Sequence, residues 1–139
     1  MSYGDGTERL DDDELIYRRV LASHGLFNSE TGKLSPEAFR PFKYDETGIS
    51  VDRAKYCTVR EAAEGRNPKG YFVAVLRVGD IRRAGLEVVP RPVAGKPGHA
   101  EMPALNYADR RSAETQQRKL LLARQLTLRV EGPFIRAEA

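Results

Sequence analysis

The apolar run at residues 71–78 (YFVAVLRV) restricts the folds open to this chain more than any other segment. It is continuous and contains three valines, a pattern typical of a central strand that is covered on both faces. A chain of 139 residues has room for one domain built around such a strand. The run therefore predicts a buried strand in the middle of a sheet, with other elements packed on each side.

The remaining segments predict an α+β fold. Strands are expected at 15–21, 86–89, 99–105 and 127–130, the two main helices at 51–64 and 113–126, and a single helical turn at 81–84. Residues 23–48 are expected to form a long connection that packs on the body through its apolar side chains. The order of elements predicts a single compact domain with a mixed or antiparallel sheet of about four to five strands.

Charge is distributed unevenly along the chain. Residues 1–14 carry six acids and one base, Arg9, whereas residues 15–139 carry 22 bases and 14 acids. Because the leader has almost no apolar side chains, we expect a disordered acidic leader over 1–13 and a single α+β domain over 14–135. The basic body would attract nucleic acid or an acidic protein surface.

Several classes of protein are excluded by what the sequence lacks. Cys57 is the single cysteine and cannot form an internal disulfide, which indicates a reducing compartment and predicts a cytoplasmic protein. No apolar run reaches the roughly 18 residues that a membrane span needs, so no membrane partner is expected. The sequence contains no phosphate-binding glycine loop, no Cys-x-x-Cys and no Gly-x-Ser-x-Gly motif. No metal and no cofactor is expected.

The first candidate site lies at residues 50–53, where Ser50 is predicted to cap the helix that begins near Val51. The N–H groups of a helix start can hold a phosphate, and Arg53 in the first turn would add a forked donor. Ser50 and Arg53 are therefore predicted phosphate-binding residues, with Asp52 beside them. The structural alternative is that Ser50 caps the helix, Asp52 satisfies its dipole and Arg53 is solvated.

The second candidate site is His99-Ala100-Glu101, at the start of a predicted strand after a proline-rich loop. Side chains two residues apart on a strand lie on one face, so the imidazole and the carboxylate would be neighbours. Such a pair can carry out general acid–base chemistry, and Glu101 or Asp52 would orient the ring. The alternative is a strand whose polar face is solvated. His24, the other histidine, is interpreted as loop surface.

The third candidate site is a series of paired bases that could contact phosphate backbones. The nucleic-acid-binding residues that the sequence predicts are Arg82, Arg83, Arg110, Arg111, Arg118 and Lys119. On the last helix, residues seven apart share a side, which would make a basic stripe. The alternative is an ordinary solvated helix face. The aromatic residues are scattered along the sequence, so base stacking is not suggested.

Three short motifs resemble a pattern found in small uncharacterised bacterial proteins. They are ISVDRA at residues 49–54, GDIRRAGLEVVP at 79–90 and PGHAEM at 97–102. In those proteins an S-V-D-R-A element, a D-I-R turn and a P-x-H-A step follow one another at similar spacing. The resemblance covers roughly residues 15–130; it implies a bacterial origin and a compact single domain, and nothing about chemistry.

Three functions remain open from the sequence. The preferred hypothesis is a small cytosolic binding module whose basic body engages nucleic acid or an acidic protein. The second is an enzyme that acts on a phosphate-bearing substrate with His99 and Asp52 or Arg53, which predicts that His99 and the start of the Ser50 helix meet in one cleft, with the Arg53 guanidinium facing the same pocket. The third is a non-catalytic subunit or immunity-type partner that uses the aromatic residues of 23–48 as its interface. The oligomeric state is left open.

Overall fold

Over residues 5–135, the secondary structure consists of eight strands, three helices and several short turns. In chain order the strands are β1 (Leu15–Leu21), β2 (Phe27–Asn28), β3 (Lys33–Leu34), β4 (Ile49–Arg53), β5 (Tyr71–Arg77), β6 (Val89–Pro90), β7 (His99–Met102) and β8 (Thr127–Phe134). The helices are α1 (Val59–Ala62), α2 (Val78–Arg83) and α3 (Ala113–Leu121), followed by a π-helical turn at Leu122–Leu126, and 3₁₀ turns lie at Ala22–His24 and Pro36–Phe39. These elements come from a computed structural model that describes residues 5–135.

Six of the strands form one antiparallel sheet, in the order β6-β7-β4-β1-β5-β8. β2 and β3 pair separately as a small hairpin. The predicted α+β class is confirmed. The sheet is one strand larger than the upper end of the expected range, because β4 was not predicted from the sequence. β5, the strand of the apolar run, lies between β1 and β8 and is buried over most of its length.

The main core lies on one face of the sheet, and strand alternation selects the residues that reach it. Ile16, Val51, Leu76 and Met102 come from four neighbouring strands, and all are buried in one cluster. The 3₁₀ turn at Pro36–Phe39, α2 and the π-helical turn after α3 cover this face with further apolar side chains. The long connection thus packs on the body, as predicted.

The opposite face of the sheet is covered over only part of its width. α1 places Ala62 and Ala63 on Tyr17 and Val73, which belong to β1 and β5. β4 and β7 also present side chains on this face, beside the part that α1 covers. The uncovered part of the face positions the candidate site described below.

The predicted helix over 51–64 is wrong. Residues 49–53 are strand β4, which pairs with β1 on one side and with β7 on the other, and only Val59–Ala62 is helical, capped by Thr58. Gly48 introduces β4 at a φ of +135°, where a Cβ would lie 2.5 Å from the carbonyl oxygen of Met102. Glycine is required there because the start of β4 lies against the end of β7 and the backbone adopts a left-handed conformation.

The acidic leader is docked in the structure and not disordered over residues 5–13. Leu10 is fully buried in the main core, and the carbonyl of Asp12 accepts a hydrogen bond from the Gly79 amide at 2.7 Å. The leader carboxylates pair with cations of the body, as in Asp12 with Arg82 at 2.7 Å. The expectation failed because it treated the leader charges as solvated, whereas they neutralise buried and half-buried arginines. Residues 1–4 of the predicted leader lie outside the described residues.

The Glu8 carboxylate of the leader makes the stability of the fold depend on pH. A hydrogen bond from the Tyr56 hydroxyl, with contributions from Lys55 and Arg53, lowers the pKa of Glu8 from 4.5 to about 2. Because the folded pKa lies below the unfolded value, Glu8 stabilises the fold above pH 4.5 and loses this effect as the pH falls toward about 2. We expect Glu8→Gln to lower the melting temperature near neutral pH and to have a shrinking effect as the solution is acidified.

The effect is measured by thermal unfolding of the unmodified protein and of Glu8→Gln, from neutral pH down toward the Glu8 pKa of about 2. Glu30→Gln is the matched control, because Glu30 is exposed and its carboxylate takes part in none of the ion pairs among residues 5–135. A difference between Glu8→Gln and the unmodified protein that stays constant with pH would contradict the assignment.

Candidate functional site

Four polar side chains stand on the part of the sheet that α1 does not cover. Ser50 and Asp52 alternate with the buried residues of β4, and His99 and Glu101 alternate with those of β7. In the register of these two strands Ser50 lies opposite Glu101, and Asp52 lies opposite His99. Antiparallel pairing therefore places on one face the residues that the sequence analysis had assigned to two separate sites.

His99 is held between a backbone carbonyl and a hydroxyl group. Its Nδ1 lies 2.8 Å from the carbonyl oxygen of Arg91, and its Nε2 lies 3.0 Å from Ser50 Oγ. Because a carbonyl can only accept a hydrogen bond, Nδ1 carries the proton, and in the neutral ring Nε2 accepts from the Ser50 hydroxyl. The expectation that Glu101 or Asp52 orients the ring is wrong, since the Arg91 carbonyl does so.

The two carboxylates beside His99 have different surroundings. Glu101 accepts a hydrogen bond from Thr47 Oγ1 at 2.6 Å and pairs with the Arg91 guanidinium at 3.5 Å. Asp52 is partly buried, and burial raises its pKa above the ordinary value, although the positive charges of Lys96 and Arg19 oppose the shift. Glu101 is thus paired with Thr47 and Arg91, while Asp52 lines the cleft described next.

An open cleft of about 860 Å³ extends from these residues across the neighbouring strand β1. β1 and β4 are paired only at Ile16–Arg53 and Tyr17–Asp52, so the two strands part beyond these positions. Arg18 bridges the gap by donating from Nη1 to the Ser50 carbonyl at 2.9 Å and from Nε to the Ala38 carbonyl at 3.0 Å. The cleft therefore follows a split in the sheet, with Ser50, Asp52 and His99 along one side.

The cleft is strongly basic. Its lining contains six cationic side chains and two carboxylates, which are Arg18, Arg19, Arg40, Lys43, Lys96 and Arg110, with Asp45 and Asp52. Within residues 5–135, Arg40 is the one member of the six that takes part in an ion pair, at 3.8 Å from Glu37. Arg18 is 8% exposed, and burial lowers its pKa to about 10, so it remains charged at neutral pH. The cleft thus holds positive charge that the described part of the protein does not neutralise.

Aromatic side chains accompany these cations. Each of four cationic groups lies within 5.2 Å of an aromatic ring centroid, in the pairs Arg19–Tyr71, Arg40–Phe42, Lys43–Tyr44 and Arg110–Tyr107. Tyr44 is 83% exposed and Phe42 is 43% exposed, so their rings are accessible to a ligand. The aromatic residues are scattered along the sequence as expected, but the fold brings four of them, Phe42, Tyr44, Tyr71 and Tyr107, to this cleft.

Arg53 does not take part in the cleft. It follows the alternation of β4 to the opposite face, where it is almost fully buried and bonded to Glu14. The predicted joint phosphate site of Ser50 and Arg53 is therefore wrong, and with it the reading of Ser50 as a helix cap. The predicted pocket shared by His99, a helix start at Ser50 and the Arg53 guanidinium is wrong for the helix and for Arg53, and only the contact between His99 and Ser50 is present, as a hydrogen bond between the two side chains.

Most of the bases predicted to contact nucleic acid are engaged elsewhere. Arg82 and Arg83 pair with acidic groups of the leader and of α2, Lys119 is buried against Glu37, and Arg118 donates to the Ala104 carbonyl. The expected stripe on the last helix is absent, although Arg111 is exposed. Arg110 is the predicted base that lines the cleft.

Several residues of the cleft were missed by sequence reasoning. Arg18, Arg19 and Lys96 were not among the residues that the sequence predicted to bind nucleic acid. The run at residues 40–44 (RPFKY) also lines the cleft, and it is the local signal that could have been found in the sequence, because cationic and aromatic side chains alternate in it. Alternation of this kind is typical of surfaces that bind single-stranded nucleic acid.

Comparison with protein-family models, curated proteins and solved structures yields no match to this chain. Between residues 5 and 135, the structure contains no helix long and apolar enough to cross a membrane. The same residues contain no group of three or more histidine, cysteine, aspartate or glutamate side chains placed to hold a metal ion. The function is therefore argued from the geometry of the cleft.

Proposed function

We propose that the protein binds single-stranded nucleic acid in the cleft between β1 and β4. The observation that carries the proposal is the combination of unneutralised cations with accessible aromatic rings in one concave surface. A nucleic-acid strand offers its phosphates to the cations and its unpaired bases to the aromatic rings. The bases of a duplex are already stacked on each other, so a single strand fits this surface better than a double helix.

The charge of the cleft contrasts with that of the rest of the basic body. Outside the cleft the leader supplies carboxylates to Arg53, Arg77 and Arg82. Because those arginines are paired, they contribute little net field, whereas Arg19, Lys43 and Lys96 lie beside the cleft without such partners among residues 5–135. The leader therefore neutralises arginines outside the cleft, and phosphates are expected to bind at the cleft, where cations and exposed aromatic rings lie together.

The exposed rings supply the second half of the surface. Stacking of a base on an aromatic side chain contributes about 1–3 kcal/mol, and it tolerates any base. Tyr44, with the Lys43 ammonium 5.2 Å from its ring centroid, presents a ring beside a cation. A nucleotide that stacks on Tyr44 would place its phosphate within reach of the neighbouring cations.

Fluorescence anisotropy with labelled RNA and DNA strands tests the charge contribution. We expect the affinity to fall linearly on a log–log plot against salt between about 50 and 200 mM. The double variant Arg40→Gln, Lys43→Gln should flatten the slope by up to about two units, since two phosphate contacts are removed. The matched control, Arg82→Gln with Arg83→Gln, removes the same charge from the neutralised side and should leave the slope nearly unchanged.

The stacking contribution is tested with a single side chain. Tyr44→Ala should weaken strand binding by about 5- to 150-fold, the equivalent of one stacked base, whereas Tyr44→Phe retains the ring and should stay close to the unmodified protein. No binding at about 50 mM salt to either RNA or DNA would overturn the proposal.

The two other hypotheses predict different outcomes of the same measurements. An acidic protein partner would show salt dependence, but strands would not compete with it at the cleft. A partner that uses the aromatic residues of the long connection as apolar anchors would bind with little dependence on salt. Either result, in place of nucleic-acid binding, would favour the corresponding protein-partner hypothesis.

A further inference from the structure

The Ser50–His99 pair has the arrangement of an activated nucleophile. We propose that Ser50 is a nucleophile, with His99 as its general base, and that the pair cleaves a phosphodiester bond of the strand held in the cleft. The substrate class rests on the proposed function, whereas the reactivity of Ser50 does not depend on it. The pair lines the cleft, so a bound phosphate has access to the hydroxyl.

The geometry satisfies the three requirements of such a pair, a nucleophile, a base and a group that orients the base. Ser50 Oγ lies 3.0 Å from His99 Nε2, and His99 Nδ1 lies 2.8 Å from the Arg91 carbonyl oxygen. The Arg91 amide in turn donates to the His99 carbonyl at 2.9 Å. This reciprocal contact fixes the ring against the neighbouring chain, so that the lone pair of Nε2 points at the hydroxyl.

The surroundings favour attack on phosphorus. Arg19, Lys96 and Arg110 line the same cleft and can balance the negative charge of a pentavalent phosphoryl transition state. The rival nucleophile, the Cys57 thiol, lies outside this lining, and burial raises its pKa to about 11. At neutral pH the thiol is protonated, which leaves the Ser50 hydroxyl as the activated group.

The reaction runs in two balanced steps. In the first, Ser50 Oγ forms a bond to phosphorus as its proton passes to His99 Nε2, and the bond from phosphorus to the sugar oxygen on the opposite side breaks, with that oxygen taking a proton from the solvent. In the second, a water molecule attacks phosphorus from the side that the sugar oxygen left and releases a proton to the solvent, while the Oγ–phosphorus bond breaks and His99 returns its proton to Oγ. The net reaction consumes one water and separates a hydroxyl end from a phosphate end.

Covalent labelling tests the nucleophile without any nucleic acid. Diisopropyl fluorophosphate would form an Oγ–phosphorus bond at Ser50, lose its fluoride and leave the proton on His99. Mass spectrometry of the digested protein should find the label on Ser50, and His99→Gln should reduce the labelling rate by about a thousand-fold. Ser29, an exposed serine outside the cleft, is the internal control and should remain unlabelled. Equal labelling of Ser29 and Ser50, or equal rates with and without His99, would overturn the inference.

Turnover and binding are then measured on the same preparations. We expect the protein to hydrolyse bis(p-nitrophenyl) phosphate and a labelled single strand, and Ser50→Ala to lose about a thousand-fold of this activity, whereas Ser29→Ala retains it. Strand binding without labelling or hydrolysis would overturn the inference and leave the proposed function standing. Labelling at Ser50 without strand binding would overturn the proposed function and support the nucleophile alone.

Discussion

Replacing Arg53 with methionine is expected to lower the free energy of unfolding by about 3–5 kcal/mol. The Arg53 guanidinium is 1% exposed, and it donates to both carboxylate oxygens of Glu14, at 2.7 and 2.9 Å. It also donates to the carbonyls of Gly6 and Glu8, at 3.3 and 3.0 Å, and so joins the leader to the sheet. Methionine fills much of the volume but leaves the Glu14 carboxylate buried without its cation. Equilibrium unfolding in urea measures the loss.

Two further variants identify the cause of that loss. Arg83→Met removes an exposed arginine that is bonded to Asp80, and it should cost less than about 1 kcal/mol. Adding Glu14→Leu to Arg53→Met should recover part of the stability, because it removes the uncompensated charge. If Arg53→Met costs no more than Arg83→Met, the buried ion pair does not hold the leader in the way described here.

Leu10→Ala is expected to cost about 2–5 kcal/mol in the free energy of unfolding. The Leu10 side chain is 0% exposed and belongs to the main core, so its truncation removes apolar contact and leaves a cavity. The effect is large for a residue of an acidic leader, since that segment was expected from its composition to be disordered. Thermal and urea unfolding of the variant measure it.

The matched control is Leu120→Ala on α3, where the leucine is 50% exposed. This change alters the buried apolar area much less than Leu10→Ala does, and alanine is a good helix former. The free energy of unfolding should therefore change by less than about 0.5 kcal/mol. Equal, small effects of the two substitutions would show that the leader is undocked in solution, as its composition suggests.

The spacing of apolar residues in the sequence was sufficient to predict those elements that are apolar along one face or along their whole length. β1 spans the residues expected from the sequence, β5 ends one residue short of its predicted run, and α3 with its π-helical turn covers the whole of the predicted helix over 113–126. In each of these segments the side chains themselves encode the period, because burial is set by the spacing of apolar residues. The α+β class followed from the order of such elements.

β4 shows where local reasoning fails. Ile49 and Val51 alternate with Ser50 and Asp52, which is a strand pattern, but the residues after them have helical spacing, and the two signals overlap. Residues 49–53 become a strand because β1 and β7, which are distant in the sequence, both pair with them. The same pairing brings His99 to Ser50 and sends Arg53 to the opposite face.

The sequence by itself determined the number of charges, the long apolar strand, the fold class and the residue types that could do chemistry. Only the tertiary structure decided which charges are neutralised, because electrostatic interaction depends on distance in space and the pairs are distant in the chain, as in Arg82 with Asp12. The leader neutralises arginines outside the cleft, while the cleft at the parting of β1 from β4 holds six cations and two carboxylates. The candidate site follows from that division of charge, which no local pattern encodes.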